Sequence, residues 1–335
     1  MDIDLFIAAH HAEWERLRQL VRRSGSLRGA EADELVTLYQ RTATHLSMVR
    51  SAAPDPALLN RLSSLVAQAR AAVTGGHSPT WRELGLFFSR RFPAAVYRSR
   101  HWWVPAALLF LLVSGLLAAW VASDPQVQAA VAAPEQIREM TKPGGAFETY
   151  YSSNPAASFA FQVWINNAWV AAGCLLLGVA LGIPVVWILA MNAANVGIAA
   201  GLMAAAGRLD IFFGLITPHG LLELTAVFVA AGAGLKLGWT VIDPGGRKRA
   251  DALAQEGRTI AGVALGLTVV LLISGAIEAF VTPSGLPTWA RISIGVLAEA
   301  VFLGYVFVLG RRAAHAGETG DVDARFAGDL APTAG

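Results

Sequence analysis

Hydrophobic and polar positions divide this chain into a mixed amino-terminal third and a later series of long apolar segments. In the first third, apolar residues recur at helical spacing, and glycine-containing stops lie near residues 24–26 and 74–76. Two prolines, Pro54 and Pro56, separate the second helical pattern from the third. The pattern predicts a small three-helix domain over residues 1–80.

The apolar segments after residue 103 are long enough to cross a membrane, since about 20 apolar residues span a hydrocarbon core of roughly 30 Å. The third segment is interrupted by Gly207, Arg208 and Asp210 before the apolar pattern resumes. Whether this span is continuous or broken stays open. We predict six spans in a domain covering 104–312: residues 104–122, 165–190, 195–213, 219–242, 260–281 and 292–309.

Basic residues cluster at one end of the predicted spans. Because cytoplasmic loops carry an excess of Lys and Arg, this end is expected to be cytoplasmic. Five arginines precede the first span, and further basic residues follow the fourth and sixth. Both termini are therefore expected in the cytoplasm of a bacterial cell, with the spans in its cytoplasmic membrane. Residues 81–103 are predicted to form an interfacial elbow helix, 123–160 an outer loop lying on the bilayer or capping the bundle, and 313–335 a disordered cytoplasmic tail.

Composition supports a membrane protein and excludes several other classes. Of the 335 residues, 55% are hydrophobic and only 15% are charged, and the mean hydropathy is +0.49. The predicted fold class is therefore an all-α, polytopic membrane protein with a cytoplasmic helical domain. A formal charge of +2 gives no reason to expect nucleic acid as a partner, whereas membrane lipid is an expected one. The single cysteine, Cys174, excludes an intrachain disulfide and a cysteine-built metal cage.

The stretch 217–224, Thr-Pro-His-Gly-Leu-Leu-Glu-Leu, places His219 and Glu223 on one helix face inside the fourth span. Ionisable residues within a membrane usually face the bundle interior and mark a functional site. The predicted topology brings further polar residues to the same half of the bilayer. The candidate ligand-binding or structural polar site comprises His219, Glu223, Asn166, Asn167, Asp210 and Glu299.

Each of these residues also has a purely structural interpretation. His219 and Glu223 can secure the helix at Pro218 through hydrogen bonds, and Asp210 can cap the apolar segment that follows it. Glu278, near a span end, is expected to reach the interface by snorkelling. Glu299 lies deeper and needs a buried partner, for which the sequence offers Arg291 or His219.

Catalytic motifs are not apparent, so no catalytic residue and no cofactor are assigned. The sequence lacks the His-Glu-x-x-His pattern of zinc hydrolases, the Gly-x-Ser-x-Gly pattern of serine hydrolases and the Walker phosphate loop. His219 and Glu223 are weak candidates for metal ligands, because a catalytic zinc needs three protein ligands. Whether the protein is an enzyme stays open, and a non-enzymatic role is favoured.

The stretch 217–224 resembles the Pro-His-Gly-x-x-Glu signature of the stage II sporulation protein M family. The small-residue run 230–235 and the asparagines that open the second and third spans, at 166, 167 and 195, are similar to neighbouring motifs of that family. The resemblance covers residues 100–312. It implies an integral membrane protein that, in spore formers, scaffolds the peptidoglycan-degrading stage II sporulation proteins D and P. Relatives outside spore formers often lie beside genes for MoxR-type ATPases.

Three functional hypotheses follow. The leading one is a non-enzymatic scaffold or regulator of cell-wall or envelope machinery, with peptidoglycan-active proteins and a cytoplasmic ATPase as expected partners. The second is a transporter or channel with an outward-facing polar site around His219 and Glu223, since a broken span before an ionisable pair is a transporter feature. The third is a membrane-embedded, metal-dependent hydrolase. Small-residue spacings also allow a homodimer.

Overall fold

The computed structural model of the protein describes residues 3–52, 56–74, 81–150 and 156–321. Most of these residues are helical, and they include no β-strand. They form two compact units, Met1–Arg82 and Glu83–Gly335, which we describe separately. The all-α fold class predicted from the sequence is confirmed.

The first unit is a three-helix domain built from α1 (Ile3–Arg22), α2 (Ala30–Ala52) and α3 (Pro56–Thr74). Acidic residues in the first turn of α2 and a basic residue in its last turn complement the helix dipole. Apolar residues at helical spacing on the three helices form one core: Trp14, Leu17, Leu20, Leu35, Leu38, Val49, Leu58, Leu62, Leu65 and Ala69.

Ion pairs connect the helices of this domain at its surface. Arg16 on α1 makes two hydrogen bonds to the Glu34 carboxylate on α2, with N···O distances of 2.9 and 2.7 Å. Arg61 on α3 lies 3.1 Å from Glu15 on α1. Several arginines of this domain are thus paired with glutamates of neighbouring helices.

His45 lies in a small aromatic cluster of the same domain. The indole N–H of Trp14 donates to its Nδ1 over 3.2 Å, and the ring centroids of His10 and His45 are 4.0 Å apart. Burial lowers the pKa of His45 below its ordinary value of 6.5, and the neighbouring His10 lowers it further. The cluster is therefore arranged around a neutral imidazole.

The second unit opens with α4 (Trp81–Leu86), a π-helical turn (Phe87–Arg91) and α5 (Phe92–Arg98). Within this segment, which was predicted to form an interfacial elbow helix, Phe92 to Val96 are all buried. Gly266 and Gly310 explain the burial: a Cβ at Gly266 would lie 2.1 Å from the Phe92 ring, and one at Gly310 would lie 2.2 Å from the Pro93 carbonyl oxygen. The elbow therefore packs into the bundle.

The first long helix, α6 (Arg100–Ser123), leads into a connection that is itself helical: α7 (Pro125–Val131), α8 (Pro134–Thr141) and α9 (Ala146–Thr149). Asp124 caps α7 by accepting from the Gln126 N–H at 2.8 Å. Arg208, which lies between the third and fourth long helices, donates to the Thr141 carbonyl at 2.8 Å and pairs with Glu148. The connection thus packs over one end of the bundle, and residues 151–155 of the predicted outer loop lie outside the described residues.

Five further long helices complete the bundle. They are α10 (Ala156–Leu177), α11 (Ile183–Ala205), α12 (Leu209–Ile242), α13 (Arg249–Phe280) and α14 (Thr288–Gly304). A π-helical turn (Tyr305–Gly310) and α15 (Arg311–His315) extend α14. Five helices of the described chain are long and apolar enough to cross a membrane: α6, α11, α12, α13 and the continuous α14–α15. The predicted count of six is approximate, because the apolar part of α10, Phe161–Leu177, is shorter.

The helix ends in the middle of the bundle differ from the predicted spans. The second long helix ends at Leu177, and a turn over 178–182 contains Leu181 and Gly182 at positive φ. The next turn, 206–208, uses Gly207 at φ +69°. From there α12 runs without a break through Pro218, so the interruption seen in the sequence is the start of the fourth long helix. The sequence pattern did not locate these helix ends, because the segments on both sides of each turn are equally apolar.

Helix α12 lies at the centre and packs against α6, α10, α11, α13 and α14. Glycines allow the closest approaches: a Cβ at Gly234 would lie 2.0 Å from the Cys174 carbonyl oxygen, and one at Gly232 would lie 2.5 Å from Trp103. Every residue of α12 from Thr225 to Gly234 is buried. Backbones in direct contact maximise van der Waals packing where no hydrophobic effect drives helices together.

The start of the predicted disordered tail is ordered. Residues 313–315 belong to α15, and the Asp321 carboxylate accepts from Arg258 at 2.9 and 2.8 Å. This pair ties the end of the described chain to α13. Residues 322–335 lie outside the described residues.

The neutral His45 cluster predicts acid sensitivity in the first unit. A histidine whose folded pKa is depressed stabilises the fold above its ordinary value of 6.5, and this stability is lost as the pH falls below it. In the full-length protein, amide hydrogen exchange of α1 and α2 peptides should quicken between pH 7.5 and 5.5 after correction for intrinsic rates. His45→Gln should flatten this dependence, whereas the partly exposed His11→Gln should keep it. Equal protection of wild-type α1 and α2 at both pH values would refute the assignment.

The backbone contact at Gly234 predicts that adding one methyl group there strongly destabilises the bundle. Gly234→Ala should lower the stability of the bundle by about 1–3 kcal/mol, because the Cβ has no room beside the Cys174 carbonyl. Gly115→Ala on α6 is the matched control, since a Cβ there meets nothing within 4 Å. Thermal unfolding in detergent measures both. A Tm for Gly234→Ala equal to that for Gly115→Ala would contradict this packing.

Candidate functional site

Pro218 and His219 lie in the first half of α12, where the backbone needs polar partners. Pro218 has no N–H, so the carbonyl of Gly214 loses its helical hydrogen bond. The Ser274 hydroxyl of α13 donates to the His219 carbonyl at 3.0 Å. A Cβ at Gly295 of α14 would lie 2.4 Å from the Pro218 carbonyl oxygen. The two neighbouring helices thus hold this turn of α12 in place.

The His219 side chain is only 5% exposed and faces the end of α13. Its Nδ1 lies 3.2 Å from the Thr282 hydroxyl, and its Nε2 lies 3.8 Å from a carboxylate oxygen of Glu278. Glu278 is 3% exposed, and its second oxygen has no hydrogen-bond partner among the residues that the structure describes. The imidazole and the carboxylate therefore form a buried pair.

Glu223, one helical turn after His219, completes the cluster. The Asn167 amide of α10 lies close to its carboxylate. One ligand atom each from His219, Glu223 and Glu278 lie within 4.8 Å of one another. Three helices thus converge on one polar cluster, which we call the His219 cluster: His219, Glu223, Glu278, Asn167 and Thr282.

The predicted site residues do not all meet there. Asn166 is exposed on the other side of α10, and Asp210 is exposed at the start of α12. Glu299 accepts a hydrogen bond from Thr225 at 2.8 Å, instead of the suggested partners Arg291 and His219. Arg291 donates to the Thr282 carbonyl at 2.6 Å.

Two expectations for individual side chains differ from the structure. Glu278 was expected to snorkel, but it is buried because α13 continues past it to Phe280 and its side chain turns toward His219. Sequence reasoning missed Thr282 and Ser274, since hydroxyls near a span end carry no distinctive pattern. Because they lie about 60 positions from His219 along the chain, no local sequence pattern connects them to it.

A cavity of about 430 Å³ adjoins the His219 cluster at Thr282. Its polar lining includes Glu148, Asp210, Thr288 and Arg291, so Asp210 borders this cavity without reaching the cluster itself. Tyr150 approaches from the loop after α9. Burial raises the pKa of its phenol, and the nearby carboxylates of Glu278 and Glu223 raise it further.

The chemistry of the His219 cluster is that of a cation site or a proton-sharing group. Two carboxylates and an imidazole are adequate ligands for a divalent metal. A second trio of this kind, His10, Glu13 and His45, lies in the first unit. The part of the chain that the structure describes offers these two groups of three or more such side chains.

A family model described as Stage II sporulation protein M matches residues 107–283, just over half of the chain. The protein belongs to the stage II sporulation protein M family. The matched region of this family member contains all five residues of the His219 cluster and ends before Glu299. The cluster thus lies within the region shared with the family and not in the segments before residue 107 or after residue 283.

The first unit corresponds to a separate family model. A domain of unknown function, DUF8413, matches residues 4–75. The comparisons with curated proteins and with solved structures gave no match. This member of the stage II sporulation protein M family therefore joins the family bundle to a second recognisable domain.

Proposed function

We propose that this protein is a non-enzymatic scaffold of the bacterial cytoplasmic membrane that holds cell-envelope proteins together. The observation that carries the proposal is the joining of two independently packed units in one chain, each matched by its own family model. A small domain without an apparent catalytic site, attached to a membrane bundle, is suited to recruiting a partner to the membrane.

The distribution of charge supports a cytoplasmic position for the first unit. Basic residues collect at the end of the bundle where α12 terminates, at residues 247–249, 311 and 312, and in the segment before α6. At the opposite end, Arg138, Lys142 and Arg208 pair with glutamates. An excess of Lys and Arg favours the cytoplasmic side. The helical connection α7–α9 would then face outward and offer a surface to a wall-active protein.

The packing of α12 favours a scaffold over the transport hypothesis. Transport requires that two arrangements of the helices exchange around a central site. Here the ten residues from Thr225 to Gly234 are buried, and glycines bring neighbouring backbones into contact. The cavity at Thr282 lies on the other side of the His219 cluster from this stretch. The hydrolase hypothesis has no catalytic motif to support it.

Site-specific photo-crosslinking in the native host's membranes tests the scaffold proposal on the full-length chain. A photoreactive residue at Met48 in the first unit should capture a cytoplasmic protein, and one at Val131 on α7 should capture a different, wall-active protein. Both side chains are partly exposed. Leu108, an exposed residue of α6, is the control that should contact lipid and yield no specific protein adduct. Absence of protein adducts at both Met48 and Val131 would reject the scaffold role.

A further inference from the structure

We propose that the His219 cluster binds a divalent transition-metal ion, of which Zn²⁺ and Mn²⁺ are the expected kinds, through His219, Glu223 and Glu278. The inference concerns the bundle alone. It goes beyond the scaffold role and does not depend on it. It rests on the spacing of the three ligands, the orientation of the imidazole and the uncompensated charge.

The spacing fits a common ion. Ligand atoms about 2.0–2.2 Å from a tetrahedral metal lie roughly 3.3–3.6 Å from one another. The ligand atoms of the cluster lie within 4.8 Å of one another, and His219 Nε2 lies 3.8 Å from Glu278. Movements of up to about 0.7 Å by each side chain would bring them to the separations of a tetrahedral site. The three ligands come from α12 and α13, which pack along their length and fix the separation.

The imidazole is oriented as a metal ligand requires. Its Nδ1 lies 3.2 Å from the Thr282 hydroxyl, within hydrogen-bonding distance, and Nε2 points toward Glu278. A distance of 3.8 Å is too long for an N–H···O hydrogen bond. If Nδ1–H donates to Thr282, Nε2 carries the lone pair that a metal ion takes. Thr282 would then fix the tautomer, as second-shell partners of metal-bound histidines do.

The charge of the cluster calls for a cation. Glu278 is almost completely buried, and one of its oxygens has no hydrogen-bond partner among the described residues. Two other buried carboxylates of the bundle have a basic partner: Lys236 lies 2.9 Å from Glu256, and Arg258 lies 2.8 Å from Asp321. Within the described part of the chain, no Lys or Arg lies within 4 Å of Glu223 or Glu278. A divalent ion would neutralise both carboxylates at once.

The trio in the first unit is a weaker site for the same ion. Trp14 donates an N–H to Nδ1 of His45, which places the imidazole proton on Nε2 and leaves no free lone pair for a metal. Glu13 already lies 3.3 Å from Arg41. His10 therefore provides a control for adventitious binding by this second group.

The test measures metal content of the full-length protein, purified from cells grown with Zn²⁺ and Mn²⁺, by plasma mass spectrometry. Wild type should hold about one equivalent per chain, and Glu278→Gln and His219→Ala should each lower it at least fivefold. Glu299→Gln, which alters a carboxylate outside the cluster, and His10→Ala should retain it. After chelation, returning Zn²⁺ or Mn²⁺ should raise the Tm of wild type and leave that of Glu278→Gln unchanged.

Two results would overturn the assignment. One is wild-type protein with less than a tenth of an equivalent and no change in Tm on adding either ion. The other is a loss of metal in His10→Ala, or in Glu299→Gln, that matches the loss in Glu278→Gln. If Glu278→Gln aggregates, Glu223→Gln serves the same purpose at a less buried position. Because the metal and the protein partners are measured separately, failure of this inference leaves the photo-crosslinking result untouched.

Discussion

The direct contact of backbones around α12 is the constraint on which the rest of the bundle depends. Where Gly232 and Gly234 face Trp103 and Cys174, the helices approach without side chains between them. This contact fixes the positions of α6 and α10 against α12. Seven residues back along α10 from Cys174 and 11 residues back along α12 from Gly234, Asn167 lies beside Glu223. Packing at one end thus determines which polar groups meet at the other.

The bundle isolates its polar groups in two different ways. Near the basic end, Lys236 and Arg258 compensate buried carboxylates directly. At the other end, His219, Glu223 and Glu278 face one another, with the Thr282 hydroxyl and the Asn167 amide beside them. A metal ion in this cluster would link α12 to α13 and make the scaffold more rigid without giving it catalytic activity. The first unit, with its own core and ion pairs, contributes a separate surface.

Sequence reasoning predicted the class of fold and the position of the key motif, because both depend on local pattern. Apolar length identified the membrane helices, and the spacing of His219 and Glu223 placed them on one face. The turn at 178–182 was missed because Gly178 and Gly182 also fit a helix-packing pattern, and only tertiary contact with α12 distinguishes the two. The sequence could not show which of Asn166 and Asn167 faces Glu223. Adjacent residues point about 100° apart around a helix, so the rotation of α10 decides between them. The burial of Glu278 could not be predicted, because its partner His219 lies 59 positions earlier in the chain.

The central claim is that α12 and its neighbours hold the His219 cluster together inside the bundle, and disulfide formation tests it most directly. In a Cys174→Ser background, Asn167→Cys combined with Glu223→Cys should form a disulfide on mild oxidation, seen as a cross-linked peptide by mass spectrometry. Asn166→Cys combined with Glu223→Cys should stay reduced. Equal cross-linking of the two pairs, or none in the Asn167 pair of the folded protein, would contradict the arrangement of α10 and α12 described above.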